Sequence, residues 1–314
     1  MDFLLILAGF AVLIAGAHYL VDGASGLAKR FNVSDLVIGL TIVSFGTSAP
    51  ELVVNIFASL DPSSTDIAFT NIIGSNLINT FVILGIAALI FPVHSQRSSR
   101  RFDMPLNLLA PIVVILLLLG MNNTLNRAGG AILLLFFIWF MFVVVQKAIK
   151  NPGENSAEYK PVKIWVALIM IVGGLAGLVG GAQLIVPSAT RIAQSMGVSQ
   201  SVIGLTIVAL GTSLPELATS AVAAFKKNSD IALGNVLGSN IFNIFFILAV
   251  SALIKPLPSY TGVYIDLALT ALGGALLLLF VYINKKHLIS RLAGGILVIL
   301  YVGFIIWTLS TQIG

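Results

Sequence analysis

One stretch of this chain occurs twice. Residues 37–52 read VIGLTIVSFGTSAPEL and residues 202–217 read VIGLTIVALGTSLPEL, 165 positions on, with three of sixteen positions different. Each copy is followed by a second shared piece, DIAFTNIIGSNLIN at 66–79 and DIALGNVLGSNIFN at 230–243. Both pieces lie in apolar runs long enough to cross a bilayer as helices. Each nevertheless carries hydroxyls and Gly; the first piece adds Pro and an interior carboxylate, and the second adds amides. A charge at the bilayer centre costs about 2.5–3.5 kcal/mol or more, so an ionisable residue there is a functional-site hypothesis by default. Here the same residue recurs in the same context, which points to Glu51 and Glu216 as the centre of an ion-binding site.

Composition supports the membrane setting. Hydrophobic residues make up 58% of the chain and charged residues 9%, leaving almost nothing for a soluble domain. There is no Cys, which excludes a disulfide framework, a thiolate metal site and thiol redox chemistry. The first apolar run, 3–20, has only Asp2 after the initial Met and no basic segment before it, so it reads as an uncleaved helix. The pattern predicts an all-α integral membrane protein of ten transmembrane helices, at about 3–28, 34–60, 66–91, 104–121, 128–148, 163–190, 198–224, 230–254, 263–283 and 291–311. A polar stretch rich in Pro, Gly and Asn divides it into a first repeat (1–149), a linker (150–162) and a second repeat (163–314).

Five helices per repeat is odd, so equivalent helices are expected to cross in opposite directions. With the N-terminus outside, 14 of the 17 Lys and Arg fall in cytoplasmic loops, and only Arg127, Arg191 and Lys255 remain outside. The net charge of +5 therefore reflects orientation in a cell membrane and gives no reason to expect nucleic acid as a partner. Inverted repeats with broken helices at the midplane are a plan of secondary transporters.

The spacing inside the motifs specifies the chemistry. Thr47 and Glu51 are four apart, as are Thr212 and Glu216, so hydroxyl and carboxylate share one helix face. Pro50 and Pro215 lack an N–H and release backbone carbonyls nearby, which membrane interiors tolerate only where protein or a cavity satisfies them. Ser75 and Asn79, and likewise Ser239 and Asn243, repeat the spacing of four. All these donors are oxygens, which favours a hard cation. Calcium accepts six to eight oxygens at about 2.3–2.6 Å, magnesium sheds water reluctantly, and sodium would compete for the same ligands. Elsewhere plainer readings suffice. Asp22, Asp35, Asp61, Asp66, Asp103, Asp230 and Asp266 sit near helix ends, where solvation or capping accounts for most of them. The Gly pairs at 129–130, 173–174, 273–274 and 294–295 read as helix packing.

GTSAPE with GSNLIN, and GTSLPE with GSNIFN, resemble the two alpha-repeats of the calcium:cation antiporter superfamily, in the style of its prokaryotic sodium/calcium exchangers. The resemblance implies a central bundle of the second, third, seventh and eighth helices, with the first and sixth lying across it as a sliding gate. It implies that Glu51 and Glu216 chelate calcium with the carbonyls of Thr47 and Thr212. An external sodium site would use Glu216, Thr212, Ser239 and the Ala209 carbonyl. An internal one would use Glu51, Thr47, Ser75 and the Ser44 carbonyl. Asn79 and Asn243 would line the centre, supported by Ser48 and Ser213. Several relatives have Asp where Asn243 stands, and Ser44 replaces the commoner Ala. The expected activity is sodium/calcium antiport by alternating access at three sodium ions per calcium, with no enzymatic reaction and no cofactor. The expected partners are the two ions and the lipid bilayer, with no protein partner evident. Calcium/proton exchange is the alternative. A sodium-coupled solute symporter fits less well, because the motifs hold no aromatic or basic residue to bind an organic substrate.

Overall fold

The computed structural model describes residues 1–60, 65–150, 162–197 and 209–313. It is almost entirely helical. We label the helices α1 (Asp2–Phe31), α2 (Asp35–Thr47), α3 (Ala49–Leu60), α4 (65–90), α5 (Ser99–Gly120), α6 (Arg127–Lys150) and α7 (Ile164–Ser195). Then follow α8 (Ala209–Thr212), α9 (Leu214–Phe225), α10 (Ser229–Ile254), α11 (Val263–Ile283) and α12 (Arg291–Ile313). Among the described residues, eight helices are long and apolar enough to span a membrane, and α2 with α3 makes a ninth span bent by 47°. The expected helix at 198–224 begins outside the described residues; its remainder is α8 and α9.

Local sequence explains the boundaries. Asn32 closes α1 in the left-handed conformation, at φ 54°, and the Ser34 hydroxyl accepts from the Val37 N–H to start α2. The α2–α3 break falls at Ser48, two residues before Pro50, which cannot donate to the preceding turn. The fifth helix starts at Ser99, earlier than the expected 104. The charged run Arg100-Arg101-Phe102-Asp103 reads as a loop but forms a π-helical turn, with Asp103 buried against Lys147 at 3.0 Å. Asp35 is also buried, bonded to Asn228 at 2.8 Å, so solvation does not explain either of these two acids.

Helices α4 and α10 form the interior. In each, 78% of the span is buried, against 17% for α12. Their polar residues can sit there because lipid offers no partners and the neighbouring helices do. Apolar contacts divide into two clusters. The larger joins α4, α5, α6, α10, α11 and α12; the smaller joins α1 and α7 to parts of α2, α9 and α10. Four two-residue strands lie at helix ends: β1 (Val93–His94), β2 (Thr124–Leu125), β3 (Leu257–Pro258) and β4 (Leu288–Ile289). They are too short to show a strand pattern in the sequence. β1 pairs antiparallel with β4, and β2 with β3.

Close backbone approach sets the α1–α7 contact. A Cβ on Gly16 would stand 2.7 Å from the Gly174 carbonyl oxygen, and one on Gly181 would stand 2.7 Å from that of Gly9. The pairing of 9 with 181 and 16 with 174 makes the two helices antiparallel. Gly173, next along α7, has open space where its Cβ would be. Adding a methyl group should therefore act oppositely at the two sites. Gly16→Ala should lower the thermal midpoint of the detergent-solubilised protein, since overpacking costs about 1–3 kcal/mol. Gly173→Ala should hold or raise it, since a helical Ala gains roughly 0.5–1 kcal/mol over Gly. Equal shifts in one direction would contradict this contact.

Candidate ion-binding site

The two GTS-x-PE segments meet at the centre of the bundle. At each, the helix breaks on a serine with nearly the same backbone: Ser48 at φ −85° and ψ 7°, Ser213 at φ −89° and ψ 5°. The break places a carboxylate in the first turn of the following helix, Glu51 on α3 and Glu216 on α9. Negative charge is favoured at that end of a helix. Both side chains are 1% exposed. They lie near enough to interact as like charges. Among the described residues, the salt bridges join Lys147 to Asp103, Arg191 to Asp2 and Lys226 to Asp22, so none of them reaches either Glu.

Glu216 is held by the opposite motif and by α10, whereas Glu51 stands against α4. Ser48 donates its hydroxyl to Glu216 Oε1 at 2.9 Å, a bond between the two copies. Thr47 and Ser239 stand beside the same carboxylate, and Ser75 stands beside Glu51. Yet acceptors are left over. Both oxygens of Glu51, Oε2 of Glu216, and the side-chain oxygens of Asn79, Asn243, Ser213 and Ser239 are buried without a hydrogen-bond partner of normal geometry. Buried polar groups without partners are rare, and a cluster of acceptors asks for a cation. No three His, Cys, Asp or Glu gather anywhere among the described residues. A cation here would depend on two carboxylates with neutral oxygens around them, which suits a hard ion.

Of the remaining expected residues, Ser44, Thr47 and Ser48 are buried within 1% exposure. Thr212 is half-buried and lines a cavity of about 260 Å³ with Pro50, Gln183, Pro187 and Pro215, against α7. Ala209 starts α8, and its side chain lies outside the described set. The hydroxyl of Ser44 bonds back to the Thr41 carbonyl at 3.2 Å.

Sequence reasoning missed a layer of amides behind these residues. Asn235 accepts from the Thr47 hydroxyl at 3.1 Å and donates to Ser220 at 3.0 Å and to the Glu216 carbonyl at 3.3 Å. Its counterpart Asn71 donates to Asn55 at 2.7 Å, and Asn55 donates to Ser251 at 3.2 Å. Asn76 and Asn240 join the layer below Asn79 and Asn243. The signal was present, since Asn71 with Asn235 and Asn76 with Asn240 recur in the duplicated segment. A π-helical turn covers Asn79 (Ile78–Ile83) and another starts at Asn243 (Asn243–Ile247), and such turns concentrate at functional sites.

Comparison with known proteins agrees with this geometry. The family model described as sodium/calcium exchanger protein matches residues 1–146 and 166–310. A putative antiporter, CaxA, of Alkalimonas amylolytica is 37% identical over 309 residues, covering 95% of this chain and 96% of the relative. The sodium/calcium exchanger MaX1 of Methanosarcina acetivorans is 34% identical, covering 97% of each chain. Among solved structures, the sodium-calcium exchanger NCX_Mj soaked with 10 mM Na+ and zero Ca2+ superposes with a TM-score of 0.83 at 32% identity, over 97% of each chain. With a family model spanning both copies of the motif and relatives matched end to end, the chain belongs to the sodium/calcium exchanger family.

Proposed function

We propose that the protein is a secondary antiporter that exchanges sodium for calcium by alternating access, using one site shared by Glu51 and Glu216. The observation that carries this reading is the pair of buried carboxylates, one from each motif copy, whose oxygens lack enough donors. Two formal negative charges match one calcium. Around them, Thr47, Thr212, Ser75, Ser239, Asn79 and Asn243 would complete an oxygen shell, with the Ser44 and Ala209 carbonyls flanking it and Ser48 and Ser213 supporting the carboxylates.

The ten-helix inverted repeat belongs to the same proposal. Several features favour it: the reciprocal pairing of β1 with β4 and β2 with β3, the matched serine breaks, and the antiparallel α1–α7 contact. In this reading α1 and α7, which share the smaller apolar cluster with parts of α2, α9 and α10, slide across the bundle and expose the site to one side at a time. The cavity beside Thr212 would be part of the outer approach.

Orientation is open to direct test, because the chain has no Cys. Ser98→Cys, beside β1, should react with an impermeant thiol reagent only from the cytoplasm, and Asn123→Cys, beside β2, only from outside. Labelling from the opposite faces would overturn the topology.

Function is tested by flux of labelled calcium into proteoliposomes, with sodium, potassium and pH gradients imposed separately. A sodium gradient should drive uptake, while potassium and pH gradients should not. Uptake driven by pH alone would replace sodium with protons as the coupling ion. At three sodium ions per calcium, each cycle moves one net charge, worth about 2.3 kcal/mol per 100 mV. Potassium–valinomycin potentials of the two signs should then change the rate in opposite directions. Equal rates at both signs would contradict three-to-one exchange.

A further inference from the structure

Asn79 and Asn243 occupy equivalent positions in the repeat but are not held alike. Asn243 donates its amide nitrogen to Asn76 Oδ1 at 3.0 Å, and Asn76 donates to the backbone carbonyl of Asn240 at 3.1 Å. Asn240 is gripped from its other side: its amide nitrogen reaches Thr80 Oγ1 at 2.9 Å and Asn107 Oδ1 at 3.0 Å. The line therefore ends on α5, a helix outside both motifs. A carboxamide has a donor end and an acceptor end. With its nitrogen committed to Asn76, Asn243 has only its oxygen left to offer, and that oxygen is buried without a donor.

The mirror-image line does not form. Asn240 Oδ1, the equivalent of the oxygen on Asn76 that Asn243 engages, has no donor, so Asn79 is not tied as Asn243 is. Sequence explains part of the difference. Thr80 corresponds to Ile244, which has nothing to accept with. The anchor that Thr80 and Asn107 give to Asn240 thus exists in one half of the molecule.

We propose that Asn107, together with Thr80, is a positioning residue of the ion site. It touches no ion. It holds Asn240 and, through the Asn240 carbonyl and Asn76, fixes the amide of Asn243 with its oxygen presented to the cation. This rests on the ion-site reading above. A buried Asn that merely packs α5 against α10 would affect stability and leave ion affinity alone, so affinity is the discriminating measurement.

The test is calorimetric titration of the purified full-length protein with Ca2+, in wild type, Asn107→Leu, Thr80→Val, Asn76→Leu and the Asn76→Leu/Asn107→Leu double variant. Asn107→Leu and Thr80→Val should each raise the Ca2+ dissociation constant about three- to ten-fold, the scale of one misdirected hydrogen-bonding group. In the Asn76→Leu background, Asn107→Leu should add less than about two-fold, because the line is already cut. Wild-type affinity in both Asn107→Leu and Thr80→Val would overturn the inference, as would an unreduced factor in the Asn76→Leu background. Thr80→Val conserves volume and decides the matter if Asn107→Leu does not fold. Absence of Ca2+ binding by the wild type would instead remove the ion-site reading, and this inference with it.

Discussion

Two carboxylates share a low-dielectric interior with no ion pair to either among the described residues, and much of the rest of the molecule is arranged around that fact. Taking one charge out of water costs several kcal/mol, and placing a like charge beside it costs more. A sequence folding for stability alone would place an amide or an apolar side chain at one of these positions. A mobile cation completing the site, as proposed, accounts for retaining Glu51 and Glu216, each 1% exposed. The helix breaks at Ser48 and Ser213 fit the same reading, because they bring each carboxylate to the start of a helix.

An ion that only balances charge could stay bound indefinitely; a transported ion must also leave. The fold separates the two jobs. The proposed site sets Glu51 of α3 and Glu216 of α9 against α4 and α10, which lie deepest and are wedged among their neighbours by amide bonds and tight Gly contacts such as Gly234 against Gly39, where a Cβ would meet the opposing Cα at 3.0 Å. Helices α1 and α7 contact each other along bare backbone and pack on parts of α2, α9 and α10 through the smaller apolar cluster. Their attachment to the bundle includes polar ties at one end, Lys226 to Asp22 at 2.5 Å and Asn228 to Ser25 at 3.1 Å.

How much of this was legible in the sequence depended on duplication. Glu51 and Glu216 stood out because an expensive residue occurred twice in one context; Thr47 and Thr212 came with them through helical spacing, and the same spacing picked out Ser75 with Asn79 and Ser239 with Asn243. Asn71 and Asn235 were repeated too, four residues before Ser75 and Ser239, while Asn76 and Asn240 fall outside that spacing; the role of all four shows only once α4 and α10 are set against α2, α5 and α9. Asn107 had no signal at all: one amide in an apolar helix says nothing until its partner is seen. Boundaries were misjudged where tertiary partners overrode local character, as at 99–103, where Lys147 makes a charged run compatible with a helix.

The most direct test of the central claim is whether the two carboxylates act as one site. Ca2+ affinity of the purified protein should be measured for wild type, Glu51→Gln, Glu216→Gln and the double variant. If both carboxylates hold the same ion, each single change should weaken binding by about a hundred-fold or more, on the scale of one lost close charge partner. The double variant should then lose far less than the product of the two single losses, because either change already dismantles the site. Wild-type affinity in either single variant, or losses that multiply independently, would contradict the account.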